Sequence, residues 1–135
     1  MFNAIGTAGT GLSTYHTWLD AISENIANEN TSEPMSQNAF QARFVDATAI
    51  PGGEDNIGQG VEATTLSYSD PKGIVTYSPN DPNADAQGYV RMPDIDMNQQ
   101  MGDMIMAERA YQANATTIDR ATQAYQAAIN IGKGL

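Results

Sequence analysis

The sequence lacks cysteine altogether, and this absence excludes several kinds of functional site. Without thiols the chain cannot form a disulfide, an iron–sulfur cluster, a thiolate zinc centre or a cysteine nucleophile. Histidine occurs once, at His16, so a metal site built on a pair of histidines is excluded as well. A catalytic histidine needs an orienting carboxylate and a nucleophile, and no recognisable frame of that kind surrounds His16. These kinds of site are therefore excluded, and we expect neither a cofactor nor a bound metal.

Basic residues are also scarce, with 6 lysines and arginines against 16 aspartates and glutamates and a net charge of −10. Because Lys and Arg supply the affinity for phosphate backbones and anionic lipids, we expect no binding to nucleic acid or to a membrane surface. Gly9 and Gly11 do not form a nucleotide loop, since no strand precedes them and no lysine follows, and we interpret them as a flexible start of a helix. Among partners we expect no small-molecule substrate.

Signals for membrane insertion or secretion are missing from the sequence. No run approaches the roughly 18–20 apolar residues that a membrane span needs. The chain starts without basic residues or a long apolar stretch, so no cleaved secretory signal is recognised. By these rules the protein would stay in the cytoplasm, unless it leaves the cell by a route that needs no cleaved signal.

Proline is absent from both ends of the chain, because all six prolines lie between Pro34 and Pro93. Proline removes a helical hydrogen bond and clashes with the preceding turn, so long helices are allowed only at the ends. We therefore predict a mainly α fold in three parts: a helix in 1–33, an irregular or β middle in 34–96 and a second helix in 97–135.

Apolar residues recur every seven positions at both ends, as in helices that pack on one another. The N-terminal stripe consists of Ile5, Leu12, Leu19 and Ile26, with Ala8, Tyr15 and Ile22 beside it. The C-terminal stripe consists of Met104, Tyr111, Ile118 and Tyr125, with Met101, Ala115 and Ile129 beside it. The pattern predicts that the two helices pair as an antiparallel coiled coil. Three glycines in the first turns weaken the first helix, so we expect fraying before about Leu12 in the monomer.

The middle of the chain carries strand and turn signals. Residues 61–69 and 74–77 flank Asp70-Pro-Lys-Gly73, which favours a β-hairpin with a short turn. Residues 40–45 are a weaker strand candidate, and 77–90 read as a turn-rich linker that is not helical. Such a middle is too small to cover both helical stripes, so the molecule is expected to need partner subunits.

The motifs of this chain resemble those of a known family. The run from Met101 to Asn114 resembles the C-terminal motif shared by bacterial flagellar rod and hook proteins, and the segment from Leu12 to Thr31 resembles their N-terminal motif. The linker adds a signature similar to that of the FlgC family of proximal-rod proteins. The motif positions are Asn25, Asn28, Tyr77, Pro79, Pro82, Asp85, Gly88, Tyr89, Pro93, Asp96, Arg109, Tyr111, Gln112 and Asn114.

This resemblance implies a structural subunit of the bacterial flagellar basal body rather than an enzyme. Family members pair their terminal helices into a coiled coil that lines the axial tube. They are exported unfolded through the flagellar type III apparatus, without a cleaved signal peptide. They then polymerise with other rod proteins in the periplasm into the drive shaft that transmits torque.

Two other functions fit parts of the pattern. A soluble helical-hairpin adaptor or a secretion chaperone would also carry two amphipathic helices. A metal-dependent enzyme could gather carboxylates from Asp81, Asp85, Asp94 and Asp96, although the spacing of an EF-hand is missing. Asp96 precedes the predicted C-terminal helix, where aspartate is favoured as an N-cap.

Overall fold

A computed structural model describes residues 2–52 and 58–133. The elements in chain order are α1 (Phe2–Asn28), β1 (Arg43–Ile50), β2 (Gly60–Tyr68), β3 (Ile74–Tyr77), β4 (Tyr89–Met92) and α2 (Met97–Lys133). Two helices, of 27 and 37 residues, thus come before and after a small region of β-strands in the chain. The predicted mainly helical fold with helices at the two ends is confirmed.

Helix α1 starts at Phe2, so the expected fraying before Leu12 is wrong in this structure. Tertiary contacts hold these early turns. The Val61 amide of β2 donates to Thr10 Oγ1 at 3.1 Å, and Gly11 is buried against α2. Such contacts outweigh the poor helix propensity of glycine, which costs only about 1 kcal/mol per residue.

Helix α2 starts immediately after Asp96, which acts as its N-cap. Asp96 Oδ1 accepts hydrogen bonds from the backbone amides of Asn98 at 2.9 Å and Gln99 at 3.3 Å. These amides belong to the first turn, where no intrahelical acceptor is available. The N-cap interpretation of Asp96 is therefore confirmed.

The four strands form two separate antiparallel pairs. β1 pairs with β2 in a register that runs from Arg43 opposite Tyr68 to Ile50 opposite Gly60, with an irregularity between Asp46 and Ala47. β3 pairs with β4 from Ile74 opposite Met92 to Tyr77 opposite Tyr89. The predicted hairpin between 61–69 and 74–77 is therefore wrong, since its two strands belong to different pairs.

The turn expected between those strands does form, but it connects the two sheets. The Gly73 amide donates to the Asp70 carbonyl at 3.0 Å, and Gly73 has a φ of +55°. Residues of the segment before β1 pair with this turn and its approach: Ala39 N donates to Pro71 O at 2.9 Å, and Ser69 N donates to Ala42 O at 3.0 Å. The antiparallel pairing of β1 with β2 thus continues past the end of β2 toward the turn.

The other predictions for the middle hold in part. The weak strand candidate at 40–45 is a strand that begins later, at Arg43, and runs on to Ile50. The turn-rich linker is not helical, and its end forms β4. The Ser78 amide donates to the Gly88 carbonyl at 2.8 Å, so residues 78–88 close the β3–β4 hairpin.

Small side chains dominate the buried part of the described residues. The buried apolar residues are Ala8, Ala21, Ile22, Ala39, Ala42, Val90 and Ala107. Thr14, Asn25 and Gln100 are buried polar residues. α1 packs against α2 and against the β1–β2 pair. Along the described ranges, neither helix has an apolar stretch of the length and hydropathy that crossing a bilayer requires.

Candidate assembly interface

The face that α1 turns toward the rest of the molecule is lined mainly by small residues. Four small residues are buried on this face: Ala8, Gly11, Thr14 and Ala21. Among the large aliphatic residues of α1 only Ile22 is buried, at 2% exposure. The larger residues of the predicted N-terminal stripe lie at the edge of this face. Ile5, Leu12, Tyr15, Leu19 and Ile26 are half-buried.

The predicted C-terminal stripe separates into two parts. Met104, Tyr111 and Ile118 are half-buried. Tyr125 and Ile129 are exposed, at 44% and 38%. The part of the stripe nearest the start of α2 is therefore packed, whereas the part nearest its end is open to solvent.

The most deeply buried residues of α2 form a row along the helix that the apolar pattern did not predict. Gln100 and Ala107 are 3% and 0% exposed, and Asn114 and Ala121 continue the row at half-buried positions. Amides and alanines carry no strong apolar signal, so the sequence reasoning chose Met101 instead, which is 58% exposed. The seven-residue repeat of small or amide residues was the signal that could have identified this row.

Asn25 connects three elements of the fold. Its Oδ1 accepts the Arg43 amide at 2.8 Å, and its Nδ2 donates to the Arg43 carbonyl at 2.9 Å. The same Nδ2 donates to Gln100 Oε1 at 3.0 Å. Asn25 is 1% exposed. Buried amides of this kind are stable only when their polar atoms are paired, and within the described ranges no buried side-chain nitrogen or oxygen lacks a partner.

The motif residues of the linker build the connection between β3 and β4. Asp85 Oδ1 accepts the backbone amides of Gln87 at 2.9 Å and Tyr89 at 2.8 Å. The Tyr77 and Tyr89 rings meet edge to face, with centroids 5.4 Å apart. Gly88 has a φ of +85°, and a Cβ there would lie 2.8 Å from the Tyr77 ring.

The remaining motif residues are dispersed. Pro79 and Pro82 are exposed in the same connection, whereas Pro93 is buried between β4 and α2. Asn28 Nδ2 donates to the Glu24 carbonyl at 2.9 Å near the end of α1. Arg109 and Gln112 are exposed on α2.

The acidic residues considered for a metal site are used within the fold. Asp81 Oδ1 accepts from Ser32 Oγ at 3.0 Å and from the Asn83 amide at 2.9 Å. Asp85 and Asp96 accept backbone amides, as described above. In the ranges that the structure covers, 2–52 and 58–133, no group of three potential metal ligands comes together.

His16 lies at the surface, beside a carboxylate one helical turn away. Its Nδ1 is 3.0 Å from Asp20 Oδ2, and the two side chains are 66% and 71% exposed. An exposed pair of this kind contributes little to stability. It forms part of the solvated face of α1.

Comparison with known proteins places this architecture in a class. Residues 86–131, which include β4 and most of α2, match the family model described as flagellar basal body rod FlgEFG protein C-terminal. This match assigns the C-terminal part of the chain to the flagellar basal-body rod proteins.

Individual relatives narrow the class further. The chain is 31% identical to the flagellar basal-body rod protein FlgC of Borreliella burgdorferi, with 99% of each chain covered. It is 26% identical to FlgC of Bacillus subtilis, with 98% of each covered, and 31% identical to FlgC of Yersinia enterocolitica, with 88% of each covered. The chain belongs to the FlgC family of flagellar basal-body rod proteins.

Proposed function

We propose that this chain is a structural subunit of the flagellar basal-body rod, which assembles with other rod proteins and with copies of itself. Membership of the FlgC family along nearly the full chain supports this function. The similar proteins named above are all rod proteins, so an adaptor or a secretion chaperone is not favoured. The structural observation that carries the proposal is the exposed end of α2.

We also propose that α1 and α2 pair as an antiparallel coiled coil. Two contacts support this arrangement: Gly11 lies against Asn114, and Asn25 bonds to Gln100. The two α1 residues are fourteen positions apart, and so are the two α2 residues, but in the opposite order. A constant spacing with reversed order is the pattern of two straight helices that run in opposite directions.

In this register α2 extends beyond the beginning of α1. Phe2 lies level with about residue 123, and residues 126–133 project beyond the start of α1 over roughly 12 Å at 1.5 Å per residue. Every residue from 122 to 133 is exposed, including Ile131 at 71%. Apolar side chains on a projecting helix gain free energy when a neighbouring subunit covers them. We therefore place contacts between subunits at this end, which we call the projecting segment (residues 126–133).

The same reasoning supports the cellular location and route. A chain whose core contains mainly small side chains gains little hydrophobic free energy by folding alone. Such a chain suits export in an unfolded state through the flagellar type III apparatus, followed by assembly in the periplasmic rod. In this role the subunit transmits torque and needs neither nucleic acid nor a small-molecule substrate.

Substitution in the projecting segment tests the proposal. The double variant Ile129→Asp/Ile131→Asp places two charges on exposed positions, so the isolated protein should keep its helical circular dichroism. In a bacterium that lacks its own copy of the gene, we expect the variant to be missing from purified basal bodies and the cells not to swim. An unpaired charge in a buried contact is costly.

The matched control is Gln126→Asp/Asn130→Asp, which adds the same charge to the same segment at exposed polar positions. This control should be incorporated and should restore swimming at least in part. Normal basal bodies with the Ile129→Asp/Ile131→Asp variant would contradict the proposed contact.

A further inference from the structure

We propose that the buried Asn25–Gln100 pair fixes the register of α1 against α2. The inference rests on the proposed antiparallel pairing and assigns a positioning role to two residues within it. The side chains of Asn25 and Gln100 are 1% and 3% exposed, and they are joined by a hydrogen bond of 3.0 Å. Apart from the Asn114 amide beside Gly11, the rest of the contact consists mainly of apolar or small side chains.

The apolar stripes by themselves do not define one register. Both repeat every seven residues, from Ile5 to Ile26 on α1 and from Met104 to Tyr125 on α2. If α2 slides by seven residues, apolar side chains meet apolar side chains again. The free energy gained by burying apolar side chains is proportional to the buried area and does not depend on direction. It therefore distinguishes only weakly between such registers.

The amide pair distinguishes these registers. If α2 slides one way, Asn25 faces Ala107, which offers no side-chain acceptor. If it slides the other way, Gln100 faces Trp18, and Asn25 lies beyond the start of α2. Either shift breaks the hydrogen bond between Asn25 Nδ2 and Gln100 Oε1, while Asn25 keeps its two bonds to Arg43. Where the released N–H of Asn25 stays buried without an acceptor, as opposite Ala107, the cost of an unsatisfied buried group applies. A single buried asparagine sets register in other coiled coils for the same reason.

Arg43 connects this register to the β middle. Asn25 holds the Arg43 backbone by two hydrogen bonds, at 2.8 and 2.9 Å, in the manner of a neighbouring strand. The amide of one side chain therefore positions β1 on α1 while it also contacts α2. A second contact could also fix the register. The Glu33 amide donates to the Arg91 carbonyl and the Arg91 amide donates to the Glu33 carbonyl, both at 2.8 Å.

The absence of cysteine allows a direct test by disulfide trapping. The pair Gly11→Cys/Asn114→Cys reports the observed register. The pairs Gly11→Cys/Ala121→Cys and Gly11→Cys/Ala107→Cys report the two shifted registers, because a disulfide forms only when the Cα atoms approach within about 7 Å. Both shifted pairs also carry Asn114→Ala, so that no reporter has the Asn114 amide against the new side chain at position 11. Intramolecular bonds are measured on dilute protein by their mobility under denaturing, non-reducing conditions.

Gln100→Met removes the acceptor with little change in side-chain length and leaves the Asn25 bonds to Arg43 in place. Gln112→Met makes the same change at an exposed site of the same helix and serves as the control. In the unsubstituted and control backgrounds we expect the Gly11→Cys/Asn114→Cys pair to form almost exclusively. With Gln100→Met we expect the ratio of observed to shifted disulfide to fall about tenfold, the effect of one buried donor without an acceptor.

Gln100→Ala gives a second measurement if the methionine variant does not fold. A merely stabilising residue would lower the yield of every disulfide without moving the ratio. An unchanged ratio in both variants would overturn the proposal and assign the register to the Glu33–Arg91 bridge. If the Gly11→Cys/Asn114→Cys disulfide does not form in the unsubstituted background, the antiparallel pairing itself is refuted. If the Ile129→Asp/Ile131→Asp variant is incorporated normally, only the proposed contact between subunits is refuted.

Discussion

Gly11 of α1 lies directly against the side-chain amide of Asn114 of α2. A Cβ added at position 11 would be 3.0 Å from both Nδ2 and Oδ1 of Asn114. The Asn114 amide is held in this place, because its Nδ2 donates to the Ala110 carbonyl at 2.9 Å. The lack of a side chain at Gly11 therefore sets how closely the two helices approach.

We predict that Gly11→Ala and Gly9→Ala have different effects on stability. Gly9 has open space around its Cβ position, so Gly9→Ala should raise the free energy of unfolding by about 0.5–1 kcal/mol through helix propensity. Gly11→Ala should lose this gain because of the contact with Asn114, and Gly11→Val should lower the free energy by about 1–3 kcal/mol. Urea unfolding measures all three.

The second substitution Asn114→Ala identifies the source of the difference. In the background of Asn114→Ala, the Gly11→Ala change should become favourable. Equal gains from Gly9→Ala and Gly11→Ala in the natural sequence would show that the helices separate easily at this point.

The N-cap of α2 provides a second prediction. Asp96→Ala removes the acceptor of two backbone amides and should lower the free energy of unfolding by about 1 kcal/mol. Asp96→Ser keeps a capping oxygen and should restore most of this loss, and Asp94→Ala, at an exposed site nearby, should have little effect. Thermal unfolding should rank the natural protein and the three variants in the same order of melting temperature with and without added Mg²⁺ or Ca²⁺. A rise in the melting temperature of the natural protein on addition of either ion would support the metal-site alternative.

The turn between the two sheets provides a third prediction. Gly73 has a φ of +55°, and a Cβ there would collide with the Met92 carbonyl oxygen and lie 2.6 Å from the Ala39 Cβ. Gly73→Ala should therefore lower the free energy of unfolding by about 1–3 kcal/mol. Gly102→Ala, at a helical site with open space, should raise it slightly. Stability equal to that of the natural protein in Gly73→Ala would mean that the turn adopts another conformation.

The ion pair beside Asn25 is expected to contribute much less than the amide. Arg43 Nη1 is 2.7 Å from Glu24 Oε2, but the two side chains are 41% and 35% exposed. Solvent and salt screen such a pair. Arg43→Gln should lower the free energy of unfolding by well under about 1 kcal/mol, and the difference should shrink as NaCl is added. A large effect that falls as NaCl is added would assign the position of β1 to the ion pair rather than to Asn25, whereas a large effect that persists at high salt would assign it to packing of the Arg43 side chain.

The terminal helices were predictable from the sequence because proline excludes helix from the middle and the apolar stripes repeat every seven residues. The N-cap at Asp96 was also readable, since capping is a local property. Strand pairing was not, because β2 can pair with either neighbouring segment. The choice depends on contacts such as that between Ala39 and Pro71, which are distant in sequence.

The candidate interface was predictable only where it is made of large apolar residues. The row formed by Gln100, Ala107 and Asn114 lies deeper than the predicted stripe, yet alanine and amide side chains occur equally on solvated faces. Their burial follows from the packing of α1 on α2, which is a property of the helix pair and not of either sequence segment.

The thinness of the core has a mechanical consequence. Among the described residues the largest side chains that are completely buried are Ile22, Val90 and Asn25. Pulling such a chain from one end separates few large interlocked groups at a time, so we expect little work to be needed to straighten the isolated subunit. If neighbouring subunits cover its exposed side chains as proposed, far more work should be needed to extract it from the assembly.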